Sequence, residues 1–360
     1  MSFSSTGMID INVLKVVIPS VLTFFLGILI TPFFTNLFYK HRMWKRVSRS
    51  ENDGITNDTF SKLHNTSSEL STPRVGGVII WVSVLLCVFL IYLLSLFFPT
   101  DLTEKLNFFS RSQTLIPLAT LVFAALIGLT DDLLQIFGRG DYAKDPLVYR
   151  KIKIICVCLI GLVIGFWFYD KLQHTAIHIL FWRDLELGVW FIPFFVLVML
   201  GVFSSSVIDG MDGLAGGVMA TIFTAYSVIA FVHNQIDISA LCAVIAGGIL
   251  AFLWFNIPPA RFYMGETGML GLTVTLSVIA FLTNSVLVLP IIAIPLVATS
   301  ISDIIQIISY KYFGKRRVFL VAPLHHHFEA MGWSREKIVM RYWVIGVVFA
   351  IVGVIVALIS

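Results

Sequence analysis

The sequence predicts an all-α polytopic membrane protein with about ten transmembrane helices. Of its 360 residues, 58% are hydrophobic and only 13% are charged, whereas a soluble domain carries about 25% charged residues. Apolar runs recur along the chain, and a helix needs about 20 mostly apolar residues to cross the hydrocarbon core of a bilayer. Positive charges collect in alternate connections between these runs. We therefore treat residues 1–360 as a single integral membrane domain.

Ten apolar runs are long enough to be candidate spans. The first run is too long for a signal peptide, and its positive charges follow it, so we interpret it as a retained span. Pro290 and Pro295 lie inside the ninth run and predict a bent or broken helix there. The boundary near Asn284 is the least defined. The predicted spans are residues 13–38, 75–98, 113–130, 152–169, 189–208, 214–233, 238–256, 269–284, 287–311 and 341–359.

The distribution of charge predicts the orientation of the chain. Of the 25 Lys and Arg residues, 20 lie in or beside the connections that follow odd-numbered spans. The positive-inside rule places these connections in the cytoplasm and both termini outside. Attraction to anionic lipid accounts for the cluster from Lys40 to Arg49 without any catalytic role. We predict that five connections form a catalytic face: residues 39–74, 131–151, 208–214, 256–268 and 312–340.

An acidic pair, Asp131 and Asp132, follows the third apolar run directly. Two adjacent carboxylates at a membrane boundary repel each other and lose hydration, so they generally need a metal ion or a basic partner. The alternative is a solvated helix C-terminus. It is less favoured because the helix dipole attracts cations, not anions, to that end. We therefore predict that the third span ends in a functional acidic pair.

Two further connections combine carboxylates with glycine. Asp209 and Asp212 stand among several glycines, ahead of a span whose N-terminal N–H groups could bind a phosphate. The alternative for the paired glycines that follow is close helix packing. The connection from Asn256 to Glu266 offers an amide, a carboxylate, a guanidinium and aromatic rings, which suit a nucleotide.

Three consecutive histidines, His325, His326 and His327, lie on a short loop in the ninth connection. They could bind a transition metal or donate hydrogen bonds to phosphate. The sequence around them holds no cysteine and no second histidine group, so zinc is the less favoured alternative. The four cysteines of the chain all fall inside apolar runs and are interpreted as packing residues. Taken together, the polar connections suit an oxyanion substrate with Mg²⁺.

These motifs make the sequence similar to the polyprenyl-phosphate N-acetylhexosamine-1-phosphate transferases of glycosyltransferase family 4. The segment Ala322–Glu329, followed by Trp333 and Trp343, resembles the branch that transfers phospho-N-acetylmuramoyl-pentapeptide. Ten spans with both termini outside are also the topology of that family. The resemblance covers most of the chain, in residues 72–77, 128–132, 209–215, 254–256, 263–268, 322–329, 332–333 and 341–343.

The resemblance implies a reaction and its partners. The reaction is Mg²⁺-dependent transfer of phospho-N-acetylmuramoyl-pentapeptide from its UDP-linked donor to undecaprenyl phosphate, which gives lipid I and UMP in peptidoglycan synthesis. Cell-wall biogenesis, cell shape and cell division would depend on it. The enzyme would span the bacterial cytoplasmic membrane with its active site facing the cytoplasm. Its partners would be the nucleotide, the lipid phosphate and the bilayer; a homodimer is compatible with the resemblance, and no nucleic acid is expected.

The resemblance also implies a role for each site residue. Asp131, Asp132, Glu266 and His326 would be catalytic, with the acidic pair handling the lipid phosphate and its proton. Glu266 would hold Mg²⁺ together with Ser206. The remaining residues would bind the nucleoside, the diphosphate or the sugar, and the ring of one of them, Tyr263, would stack on uracil. These residues are Asp209, Asp212, Asn256, Tyr263, Gln306, His325, His327 and Lys153.

Several positions depart from the family pattern. Glu266 stands where the family has an aspartate, and Phe203 and Ser206 replace two asparagines. Leu70 and Gln135 stand near or at positions of lysines. Because these changes fall on the nucleotide and metal side, two alternatives stay open. One is a sister transferase that moves another N-acetylhexosamine-1-phosphate, such as GlcNAc-1-phosphate, from UDP to polyprenyl phosphate. The other is a non-catalytic relative or a transporter of phosphorylated lipid.

Overall fold

A computed structural model describes residues 3–44, 71–109, 113–138 and 146–360, and in residues 3–10 and 146–149 it describes the backbone alone. The predicted connections 39–74 and 131–151 therefore lie partly outside the described residues. Leu70 and the second half of the cluster from Lys40 to Arg49 lie outside them as well.

The regular secondary structure of the described residues is helical apart from one short antiparallel hairpin, in which β1 pairs with β2. Single 3-10 turns precede and follow α6, at Gly188–Trp190 and Ser205–Ile208. The elements are α1 (Phe3–Lys40), α2 (Gly77–Phe97), α3 (Asp101–Leu106), α4 (Leu115–Phe137), α5 (Pro146–Lys171), β1 (Ala176–His178), β2 (Asp184–Glu186), α6 (Phe191–Ser204), α7 (Leu214–Val232), α8 (Ile236–Asn256), α9 (Gly265–Leu282), α10 (Leu289–Ile292), α11 (Ile294–Tyr312), α12 (Leu324–Ala330) and α13 (Arg335–Ile359).

Within the described ranges, nine helices are long and apolar enough to cross a membrane. This result confirms the all-α, polytopic fold class. In the most apolar stretch of α9, 89% of the residues are buried, compared with 17% in α1 and 22% in α13. Helix α9 therefore lies at the centre of the bundle, where it packs against α4, α2 and α6, while α1 and α13 present apolar side chains outwards to lipid.

The ninth predicted span is broken. In place of a continuous span at 287–311, the short helix α10 ends at Ile292 and α11 begins at Ile294. The break lies between Pro290 and Pro295, because a proline inside a helix removes a hydrogen bond and clashes with the preceding turn. The prediction of a broken helix in this region is confirmed.

Two local predictions were wrong. The third span does not end at the acidic pair, because α4 continues to Phe137 and closes at Gly138 in the left-handed conformation. Ile136 continues the buried face of the helix beyond the acidic pair, so the apolar periodicity resumes after a polar interruption. The histidine triplet does not lie in an irregular loop. It lies in the short helix α12, which follows Pro323.

Candidate active site

The N-terminus of α9 is the point at which three separate parts of the chain meet. Gly265 opens this helix with a φ of 70°, and a Cβ at that position would overlap the backbone oxygen of Arg74. A Cβ on Gly128 of α4 would overlap the backbone oxygen of Glu266. Glycine at these two positions allows backbone to pack directly against backbone. The first turn of α9 is consequently held between α4 and the segment that precedes α2.

Two aspartates from different elements bind the first N–H groups of α9. The backbone N–H of Glu266 donates to Oδ1 of Asp132 (3.2 Å), and that of Thr267 donates to Oδ2 (2.9 Å). The N–H of Gly265 donates to Oδ2 of Asp209 at 3.1 Å. These donors have no partner inside the helix, and its dipole favours anions at this end. Asp132 and Asp209 thus hold α9 in place with respect to α4 and the turn before α7.

Lys153 on α5 is a buried cation of the site. Its Nζ lies 2.5 Å from Oε1 of Glu266 and 3.4 Å from Oδ2 of Asp131. Gln135, one turn beyond Asp131 on α4, donates from Nε2 to the same Oδ2 at 2.8 Å. Asp131 and Asp132 are only 2% and 4% exposed, which excludes a solvated helix end. The acidic pair therefore has basic and amide partners inside the protein, as buried carboxylates require.

Asn256 and Asp212 connect the polar loops to each other. The N–H of Gly213 donates to Oδ1 of Asn256 (2.9 Å), and Nδ2 of Asn256 donates to the carbonyl of Phe262 (2.9 Å). Asp212 accepts the N–H of Ala260 at 3.1 Å. Burial raises the pKa of Asp212, although that hydrogen bond and the charge of Arg335 act in the opposite direction. Both side chains hold the two loops together.

Tyr263 and Gln306 also contact backbone near the site. The N–H of Tyr263 donates to the carbonyl of Pro73, and its carbonyl accepts from Gly76, so the 73–76 segment lies along the 256–264 loop. The ring of Tyr263 is half-buried. Oε1 of Gln306 accepts the N–H groups of Val318 and Phe319, and its Nε2 donates to the carbonyl of Phe319. Gln306 therefore shapes the loop that leads to α12.

The three histidines have different surroundings. His325 is fully buried and His326 is 3% exposed. A Cβ added to Gly210 would lie 2.5 Å from Nε2 of His325 and 3.1 Å from Nε2 of His326, so both rings face the turn that begins with Asp209. His327 points elsewhere, and its Nδ1 accepts the N–H of Leu320 at 3.2 Å. The triplet thus contributes two imidazoles to the site and one to the loop before α12.

Contacts from several helices therefore form one continuous polar cluster. Lys153 connects the acidic pair to Glu266, Asp132 and Asp209 bind the start of α9, and the histidines face Gly210. Ser206 lies half-buried in the 3-10 turn before Asp209, which packs against α9. Phe203 is buried on α6, and its side chain has no polar group to contribute to the cluster. In the part of the chain that the structure describes, no three His, Cys, Asp or Glu side chains are arranged to hold a metal ion by themselves.

Sequence reasoning missed three contributors to this arrangement. Arg335 donates from Nε to Oε1 of Glu329 at 2.6 Å, and Trp343 donates from Nε1 to the carbonyl of Gly213 at 3.1 Å. Thr267 donates its hydroxyl to the carbonyl of Ala125. Thr267 and Trp343 stand inside segments that resemble the family, and this was the available signal. Nothing in the local sequence indicated their partners.

The chain is similar to known proteins over most of its length. The sequence profile described as "Glycosyl transferase family 4" matches residues 114–284. A relative from Borrelia turicatae (strain 91E135) is 32% identical across 86% of this chain and 88% of its own length. One from Caldanaerobacter subterraneus subsp. tengcongensis is 33% identical across 92% and 95%, and one from Geobacillus sp. (strain WCH70) is 31% identical across 96% and 97%.

The chain therefore belongs to glycosyl transferase family 4. Within that family, each of these three relatives bears the name phospho-N-acetylmuramoyl-pentapeptide-transferase. The resemblance drawn from the motifs is confirmed.

Proposed function

We propose that this membrane protein transfers phospho-N-acetylmuramoyl-pentapeptide from its UDP-linked donor to undecaprenyl phosphate and releases UMP. The observation that carries the proposal is the polar cluster at the start of α9, in a chain that aligns over most of its length with transferases of that name. The sister transferase for GlcNAc-1-phosphate is not favoured, because the names of those relatives all specify phospho-N-acetylmuramoyl-pentapeptide as the transferred group.

The chemistry divides among the residues of the cluster. An oxygen of the lipid phosphate attacks the β-phosphorus of the donor, the bond to the α-phosphate oxygen breaks, and UMP leaves. In phosphoryl transfer the protein mainly positions the reactants and stabilises charge. Both carboxylate oxygens of Asp132 accept N–H groups of α9, and these hydrogen bonds position Glu266. We therefore propose that Asp131, which Lys153 and Gln135 hold in place, accepts the proton of the lipid phosphate.

The carboxylates of the cluster suit a hard divalent cation. Asp131, Asp132, Asp209 and Glu266 lie around the start of α9. Lys153 pairs with two of these carboxylates and the charge of Arg74 acts on Asp132, so the carboxylates still outnumber the cations. Such a cluster would repel a diphosphate. Mg²⁺ is generally bound by one or two carboxylates together with substrate phosphates, which fits the lack of a complete protein cage in the described residues. Glu266, with the hydroxyl of Ser206, would hold Mg²⁺, which would offset the negative charge of the diphosphate.

The remaining side chains would bind the nucleotide and the sugar. We assign Tyr263 to uracil, Asp209 and Asp212 to the polar part of the donor, and His325 and His326 to phosphate oxygens at the Gly210 turn. Asn256, Gln306 and His327 support the loops around the polar cluster by binding backbone groups. We further propose that the site faces the cytoplasm, where the water-soluble nucleotide is available. The homodimer stays a prediction.

A UMP-release assay tests the proposal. Purified protein, Mg²⁺ and undecaprenyl phosphate are mixed either with the muramoyl-pentapeptide nucleotide or with UDP-GlcNAc, and UMP is measured. We expect release with the first donor and none with the second. Release with UDP-GlcNAc alone would support the sister transferase, and no release with either donor would support a non-catalytic relative.

A further inference from the structure

Glu329 forms a buried hydrogen-bonded chain with one histidine of the triplet. Its Oε2 lies 3.0 Å from Nδ1 of His326, and its Oε1 lies 2.6 Å from Nε of Arg335. Glu329 is 8% exposed and His326 is 3% exposed. Both oxygens of the carboxylate are therefore engaged, one by an imidazole that faces the candidate site and one by a guanidinium from the start of α13.

The ionised state of Glu329 requires a proton on Nδ1 of His326. Burial alone would raise the pKa of Glu329, but the hydrogen bonds from His326 and Arg335 and the charge of Arg335 lower it to about 2. An ionised carboxylate can only accept hydrogen bonds. Nδ1 of His326 must then be the donor. The ring is fixed in orientation, and Nε2 is the nitrogen that faces the site.

Nε2 of His326 points towards the turn that the donor phosphates would approach. A Cβ on Gly210 would lie 3.1 Å from this nitrogen. Asp209, the preceding residue, binds the first N–H of α9, and the ring of His325 lies 4.3 Å from that of His326 between centroids. The nitrogen therefore lies at the junction between α12, the Asp209–Gly210 turn and, through Asp209, the start of α9.

Other contacts already hold α12 in place without Glu329. The N–H of Leu324 donates to Oγ of Ser302 on α11 at 2.9 Å. Phe328 stacks on Trp333, with ring centroids 4.9 Å apart. A buried ion pair is costly to form in a protein interior and often contributes little net stability. Fold stability is therefore a weak explanation for a buried carboxylate that contacts one site residue on one side and a fixed cation on the other.

We propose that Glu329 is a positioning residue for the transfer reaction, which accepts Nδ1–H of His326 so that the ring, as the imidazolium, donates Nε2–H to a phosphate oxygen at the Gly210 turn. Arg335 fixes the carboxylate in turn. The inference rests on the proposed function, because it assigns a phosphate as the partner of Nε2. Hydrogen-bonded partners of this kind fix the tautomer and the orientation of functional histidines in metal sites, and their loss generally costs about 10–100-fold there.

Kinetics of Glu329→Gln provide the first test, with whichever UDP-sugar donor the unmodified protein uses. We expect kcat to fall about 10–100-fold while KM for the nucleotide stays within about threefold, because the donor is still bound but His326 is misoriented. Glu336→Gln is the matched control, since it removes the same charge from an exposed position next to Arg335. That variant should keep the parent kcat.

A double-mutant cycle separates positioning from a general structural role. If Glu329 acts through His326, adding Glu329→Gln to His326→Ala should cause no further loss in a single-turnover assay. An equal loss in both backgrounds, or a parent-like kcat for Glu329→Gln, would overturn the proposal. Should Glu329→Gln fail to fold, Glu329→Asp replaces it. That variant keeps the charge but withdraws the carboxylate from the ring, so the same loss is expected.

A spectroscopic measurement does not depend on turnover. In protein labelled with ¹⁵N-histidine, the signals of His326 are those missing from His326→Ala. We expect Nδ1 to be protonated in the unmodified protein and the Nδ1 signal to shift in Glu329→Gln. An unprotonated Nδ1 would refute the positioning role. Failure of the muramoyl donor in the kinetic assay would instead refute the proposed function and leave this result unaffected.

Discussion

At the residue scale, the buried charges near α9 form a network in which each carboxylate has a defined partner. Lys153 pairs with Glu266 and Asp131, and Asp132 binds two N–H groups. Removing one partner of a buried ion pair leaves the other charge uncompensated, which costs about 3–5 kcal/mol. Substitutions in this cluster consequently affect both stability and activity, and matched controls are needed to separate the two effects.

Glu266→Gln should abolish turnover. The amide keeps the shape of the side chain but removes the charge that pairs with Lys153 and that would hold Mg²⁺. We expect UMP release to fall at least about 100-fold, the loss typical of one missing electrostatic contact in a transition state. Glu104→Gln, an exposed change on α3, is the control. Parent rates in Glu266→Gln would exclude this carboxylate as a metal ligand.

Asn256→Ala should mainly destabilise the fold. The substitution leaves the N–H of Gly213 and the carbonyl of Phe262 buried without their partner, and each such group costs about 1–3 kcal/mol. We expect a clearly lower thermal unfolding midpoint in detergent. Asn36→Ala, at an exposed position on α1, should leave the midpoint unchanged. An unchanged midpoint in Asn256→Ala would mean that this amide serves substrate and not the fold.

At the element scale, the site depends on how closely α12 approaches the turn before α7. The two buried imidazoles of α12 lie directly against Gly210, where no side chain separates them from the backbone. The conformation of this turn therefore controls the position of both rings. A small substitution in the turn should affect catalysis even though glycine itself contributes no functional group.

Gly210→Ala should reduce kcat by displacing the histidines. A Cβ at this position would lie 2.5 Å from Nε2 of His325, so the buried ring must move. We expect a loss of about 10-fold or more, since misplacement by about 1 Å can cost 100-fold. Gly201→Ala is the matched control, because a Cβ there would have no neighbour within 4 Å. Equal rates for both variants would show that α12 is not held against this turn during catalysis.

The sequence predicted the elements better than it predicted their contacts. Apolar runs set by bilayer thickness predicted nine of the spans, and two prolines predicted the break in the remaining one, the ninth. The continuation of α4 past Asp132 was not predicted. Two adjacent carboxylates after an apolar run indicate the end of a span unless their buried partners are known. Those partners are distant in sequence: the N–H that binds Oδ2 of Asp132 belongs to Thr267, 135 residues away.

The contacts of the site residues could not be predicted from the sequence either. Residue types indicated phosphate and metal chemistry, and the structure brings most of these residues together. Asn256, Gln306 and His327 were assigned to substrate from the resemblance, whereas in the structure their polar atoms bind backbone. Which face of a side chain meets a ligand depends on tertiary contacts, and these were not visible in local patterns.

At the scale of the whole molecule, charge distribution predicts which face of the bundle meets the cytoplasm. Single cysteines in a background without the four native ones can test this orientation. An impermeant maleimide added to intact cells should label Arg183→Cys, in the hairpin, and should label Arg316→Cys, after α11, only once the membrane is permeabilised. Both positions are exposed. The reverse pattern of labelling would invert the topology and place the candidate site outside.

The central claim is that the polar cluster around α9 joins a muramoyl-pentapeptide phosphate to a prenyl phosphate. The most direct measurement is the mass of the lipid product, extracted after the purified protein has been incubated with Mg²⁺, undecaprenyl phosphate and an equal mixture of the muramoyl-pentapeptide nucleotide and UDP-GlcNAc. We expect undecaprenyl diphosphate linked to the muramoyl-pentapeptide. A product that carries GlcNAc alone, or no new lipid, would contradict it.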